Sequence, residues 1–165
     1  DSYMSLFDND DNPTLIEYAA FFGSIQIFNY LFKNNVELTS ILWIYAIHSD
    51  NPELIHILED NKIKPEFDNY NECVKEAIKC HHNNIANYIL NKYLNQNNNY
   101  YLNDCFRYYN FEYFPNDLDN IQFFSFACKY DYFLIVDFYL ETKKIDLNNE
   151  TIGIVSFFYS ILINV

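Results

Sequence analysis

The chain has 165 residues, half hydrophobic and a fifth aromatic, which suits one domain with a buried core and argues against wholesale disorder. Its 10 Lys and Arg against 23 Asp and Glu give a formal charge of −13, which argues strongly against phosphate-backbone binding and also against docking on anionic lipid. Two glycines in the whole chain argue against a sandwich or barrel and leave nothing for a glycine-rich phosphate loop.

Taken from the N-terminus, residues 14–22 carry apolar side chains at helical spacing, with Asn12 or Thr14 as N-cap and Gly23 as a left-handed terminator. Leu15, Ala19 and Phe22 are predicted on its buried face. A second helix over 24–32 presents Ile27, Phe28 and Leu31, and the two make a helical hairpin near residues 12–38. The same wording returns from Ala46, Ala77 and Ala127. A turn-tolerant residue follows four positions later (Gly23, Asp50, His81, Asp131) and an aliphatic one eight later. An apolar pair closes the unit, broken once by Glu59. Where two helices approach closely, only a small side chain fits, which explains the alanines.

This predicts further hairpins near 39–65, 70–94 and 119–147, with Pro52 at the first position of a second helix, where proline is tolerated. The long gap between Ala77 and Ala127 holds a degenerate hairpin near 100–115. There Cys105 to Asn110 is followed by Phe111–Phe114, which Pro115 cuts short. Asn95–Asn99 is a polar loop. The apolar stretch Thr151–Val165 is too short for the roughly 20 residues of a membrane span and reads as a terminal helix or broken repeat. Recurrence at a period near thirty predicts an all-α, helical-hairpin solenoid of four to five degenerate repeats, in one domain covering 1–165.

Thr14, Ala19, Ala20, Gly23, Ile27 and Leu31 resemble the ankyrin repeat. Glu17–Ile25, Leu42–His48 and Lys75–His81 are similar to a divergent ankyrin-like family expanded in parasitic protists. The resemblance covers roughly residues 3–150. It implies a non-catalytic protein–protein interaction module. The two residues before each turn would face a concave groove: Phe21 and Phe22, His48 and Ser49, Lys79 and Cys80, Lys129 and Tyr130. Phe21 and Tyr130 are expected to be exposed there, whereas periodicity alone puts Phe22 in the core. Loops near Asn34–Glu37 and Asn61–Lys64 would form finger tips. Relatives often continue into regular ankyrin repeats, so the alternative is a truncated, degenerate copy without retained function.

Chemistry has little support in the sequence. Cys80, His81 and His82, with Cys73 and His48, form the one metal-like group, but zinc ligands usually come as two short pairs and here no second pair follows. A Cys80–His48 nucleophile pair from adjacent repeats lacks any visible oxyanion site. The expectation is therefore no enzyme, no metal and no cofactor. Cys73, Cys80, Cys105 and Cys128 show no paired spacing, and a reducing, cytoplasmic setting is expected. The acidic residues, including Asp8, Asp10 and Asp11, read as solvated surface or as attraction to a basic protein partner, felt in association rate more than affinity.

Overall fold

The computed structural model describes residues 13–94, 101–114 and 121–143. The acidic cluster at Asp8, Asp10 and Asp11, the Asn95–Asn99 loop and the Thr151–Val165 stretch lie outside these residues. Among the described residues every regular element is helical. They are α1 (Leu15–Phe21), α2 (Ile25–Lys33), α3 (Leu42–His48), α4 (Pro52–Asp60), α5 (Tyr70–Lys79), α6 (Asn83–Ile89), α7 (Leu102–Arg107), α8 (Ile121–Lys129) and α9 (Phe133–Lys143). No helix among them is long and apolar enough to cross a membrane. The chain divides into two units, Asp1–Gln96 and Asn97–Val165.

Five first helices end in one way. Gly23, Asp50 and His81 in the first unit, and Tyr109 and Asp131 in the second, hold left-handed backbone with φ of 63°, 53°, 62°, 59° and 59°. The next N–H then reaches back to the carbonyl of the small residue. The bonds run from Ser24 to Ala19 at 2.8 Å, Asn51 to Ala46 at 3.4 Å, His82 to Ala77 at 2.9 Å, Asn110 to Cys105 at 2.9 Å and Tyr132 to Ala127 at 2.9 Å. The left-handed residue donates its own N–H one carbonyl further on, as from Gly23 to Ala20 at 3.0 Å. These paired bonds satisfy carbonyls that a helix end leaves open, and they require positive φ at one position.

The starts are also fixed locally. Thr14 donates its N–H to Glu17 Oε2 at 2.7 Å, while the Glu17 N–H reaches Thr14 Oγ1 at 3.4 Å. This reciprocal cap contributes about 1 kcal/mol. Asn51 Oδ1 accepts from the Glu53 N–H at 3.0 Å, and Pro52 occupies the first turn of α4 as its sequence predicts.

In the first unit the hairpin pairs α1–α2, α3–α4 and α5–α6 form, and α3 packs against both α1 and α5. Ala46 and Ala77 are fully buried in that contact, where added bulk would force the helices apart. The face of α1 differs from its sequence reading. Ile16, Ala19 and Ala20 point inward, whereas Leu15 and Phe22 are 66% and 65% exposed. A helix that must contact both α2 and α3 buries the arc spanning Ala19 and Ala20, one position round from the single stripe that periodicity selected. In α2, Phe28 is the buried anchor and Ile27 is exposed.

The second helices end alike in two hairpins. Asn35 and Lys62 are left-handed, and Val36 and Ile63 donate to Leu31 and Leu58 at 3.2 and 2.9 Å. After α6 the backbone instead widens into a π-helix over Leu90–Leu94. This turns Tyr93 back, so that its ring stacks on Tyr70 at 3.9 Å and its hydroxyl donates to Glu59 Oε1 at 2.6 Å. Trp43, buried beneath, donates its indole N–H to the Ile63 carbonyl at 2.9 Å and ties α3 to the loop after α4.

The second unit packs α8 against both α7 and α9 around Leu102, Phe106, Phe123, Phe124, Ala127 and Tyr139. Following α7, the described residues form one 3-10 turn, Phe111–Tyr113.

Candidate functional site

The residues preceding the turns of the first unit meet in space. The Phe21 ring lies flat on His48, with centroids 4.3 Å apart and planes 16° from parallel. It also touches Phe22 and Tyr45 edge-on at 5.0 and 6.1 Å. Ser49 abuts the Gly23 turn: a Cβ at Gly23 would sit 3.4 Å from Ser49 Cβ. Two helices onward, Cys80 Sγ lies 3.3 Å from His48 Nδ1. Phe21, His48 and Cys80 thus form one contiguous line across α1, α3 and α5.

Exposure along this line departs from the sequence reading. Phe21 is half-buried under its stack on His48, and Phe22, expected in the core, is the exposed member of the pair. In the second unit Lys129 and Tyr130 converge on Asn103, each 3.0 Å from its Oδ1. Lys129 is exposed, and Tyr130 is half-buried rather than open. Both turn-preceding residues there are engaged by α7.

A glutamate absent from the sequence reading completes the arrangement at His48. Glu76 and Cys80 are four apart on α5, so they share a face. Glu76 Oε1 is 3.5 Å from His48 Nδ1 and 3.5 Å from Cys80 Sγ. Lys79 donates to both carboxylate oxygens, Oε2 at 3.1 Å and Oε1 at 3.3 Å. The His48 and Glu76 side chains are 10% and 12% exposed. Burial lowers the His48 pKa against the opposing pull of Glu76. Burial first, then the Glu76 charge, pushes the Cys80 thiol up to about 12. The i, i+4 spacing on α5 was the signal for Glu76, but it has meaning only once α3 is known to lie against that face.

The geometry does not match a nucleophile relay. A Cys–His–acid relay uses both imidazole nitrogens, one towards the nucleophile and one towards the acid. Here the single atom Nδ1 faces both Cys80 and Glu76. His81 lies outside the cluster, exposed in its left-handed turn, and Cys73 is buried in the core, its thiol raised to about 12 by burial. His82 borders the cluster, with Nε2 3.2 Å from the His48 carbonyl and Nδ1 3.6 Å from Asp50.

A second polar cluster sits where α4 meets the end of the third hairpin. Glu59 accepts from the hydroxyls of Tyr88 and Tyr93 at 2.9 and 2.6 Å, and it pairs with Lys92 at 3.0 Å and His56 at 3.2 Å. Burial alone would raise its pKa. The surrounding bonds from Tyr93, Lys92, Tyr88 and His56 outweigh burial and hold it below the ordinary value. A cleft of about 310 Å³ opens beside it, lined by Asp50, Pro52, Ile55, His56, Ile85 and Tyr88. The turn before α5 adds a feature that composition gave no hint of: Phe67 is left-handed at φ 55° and 93% exposed.

No family model, curated protein or solved structure matches the chain.

Proposed function

We propose that this chain is a non-catalytic protein–protein interaction module, built as an ankyrin-like stack of degenerate helical hairpins. The carrying observation is the contiguity of α1, α3 and α5, with the same turn closing each, which lines up Phe21, His48 and Cys80. In a stack of like hairpins, the residues before successive turns align into a stripe that a partner can read, here with Phe21 and His48 two places before their turns and Cys80 one place before its own. Phe22 supplies the kind of exposed aromatic that anchors interfaces. The loop tips carrying Asn35, Lys62 and Phe67 offer a second contact edge. The formal charge of −13 favours a basic partner. The free thiols of Cys73, Cys80, Cys105 and Cys128 support a reducing compartment.

The test is a pull-down from native cell extract with the wild type beside a Phe22→Asp variant. The variant should keep its melting profile and lose the retained protein at least about tenfold, as expected when an interface anchor goes. Retention of the same protein at equal yield would sink the assignment of this surface.

A further inference from the structure

We propose that His48, Glu76 and Cys80 form a three-ligand site for a zinc-class divalent cation, which clips α3 to α5 and keeps a fourth position for water. The three donor atoms, His48 Nδ1, Glu76 Oε1 and Cys80 Sγ, all lie within 4.8 Å of one another. Their separations are 3.3, 3.5 and 3.5 Å. Zinc bonds of about 2.0–2.3 Å to nitrogen, oxygen and sulfur set donor–donor edges of about 3.3–3.6 Å in a tetrahedron. The triangle therefore already has the size of one tetrahedral face, and an ion at bonding distance from all three sits just off its plane.

The donor set points to the ion class. One thiolate, one imidazole and one carboxylate match zinc and its spectroscopic surrogate Co2+, and they suit neither magnesium nor calcium, which take oxygen ligands. On binding, the thiol proton leaves to solvent and the Cys80 sulfur bonds the cation, so the charge of the site changes by +1 net of that proton. The surroundings hold the ligands in place. Lys79 reaches both Glu76 oxygens, Oε2 at 3.1 Å and Oε1 at 3.3 Å, so cation binding requires its ammonium to let go of Oε1 and stay on Oε2, while the Phe21 stack fixes the plane of the His48 ring. His48 and Glu76 are screened but not sealed, which leaves an entry path. Two ligands from α5 and one from α3 mean that the cation joins the second hairpin to the third.

The experiment uses the full chain, reduced and freed of metal by chelator, and titrated with Co2+. One equivalent should produce a thiolate-to-cobalt charge-transfer band together with the intense visible bands of tetrahedral coordination, and Zn2+ should abolish both. Cys80→Ser should weaken Co2+ binding at least about 100-fold, beyond the 10- to 100-fold typical of losing a supporting residue. Cys128→Ser should leave the titration unchanged. Glu76→Gln, which preserves shape, should weaken binding at least about tenfold and guards against a folding defect in the serine variant. Absence of the charge-transfer band, its survival in Cys80→Ser, or unchanged affinity in Glu76→Gln overturns the proposal. Partner capture is read separately, so failure here leaves the interaction surface standing.

Discussion

The turns at His81 and Tyr109 share one backbone, yet the helices that follow them differ. Both residues are left-handed, and both are followed by an N–H that returns to the small residue's carbonyl at 2.9 Å. After His81 a full helix forms, α6, and its end folds back through Tyr93 onto Glu59. After Tyr109 the described residues form a single 3-10 turn. The hairpin turn is thus specified by dihedral sign and one compact residue, independently of whether a second helix has enough chain to form. Cys105 replaces alanine in that compact slot, and Tyr109 replaces Gly, Asp or His, without loss of the two bonds.

The largest expected effect tests the compact slot where helices stack on both sides. Ala77→Leu should destabilise the first unit by about 3 kcal/mol or unfold it, because a fully buried contact has no room for three more carbons. Urea unfolding followed by circular dichroism measures this, and a loss under about 1 kcal/mol would break the close-approach account.

Next comes the joint at the end of the third helix pair. Glu59→Gln removes the charge to which two tyrosines, a lysine and a histidine point, and should cost about 2 kcal/mol near neutral pH. The Glu59 pKa is depressed on folding, so its stabilisation is complete above the ordinary value of 4.5 and is lost as pH falls through the lowered folded value. The wild type should therefore lose stability on acidification through that window by more than Glu59→Gln does. Parallel pH series of unfolding midpoints decide it.

Phe21→Ala should cost about 1 kcal/mol, through loss of a ring stacked on His48. A thermal melt with no shift would return Phe21 to the role of a purely exposed contact. The smallest effect sharpens the comparison from the other side. Tyr109→Asn should stabilise the second unit by about 0.5 kcal/mol, since asparagine tolerates positive φ better than tyrosine.

The turns were readable because each rests on a local rule: Gly23, Asp50, His81 and Asp131 were all picked out by tolerance of positive φ. Pro52 at the start of α4 was readable for the same reason. The orientation of α1 was not. Apolar residues occur on most of its circumference, and the choice between Leu15 with Phe22 and Ile16 with Ala20 depends on where α2 and α3 lie. Within the candidate site, Phe21, His48 and Cys80 were named because each lies one or two residues before a turn. Glu76 did not, because one residue before the compact slot no repeat pattern assigns it a role. Its importance comes from α3 lying against α5, a long-range fact. Tyr93 escaped notice for a similar reason, since a π-widened backbone leaves no mark in residue type.

The reverse-handed residue at each corner carries a further consequence for how such a chain can change over time. A corner held by two main-chain bonds asks of its side chains only tolerance of positive φ at one position and compactness at another, so substitutions elsewhere along the helices leave the corner standing. The corner is thus written in two short-range requirements, while everything between corners is left to the packing of the helices.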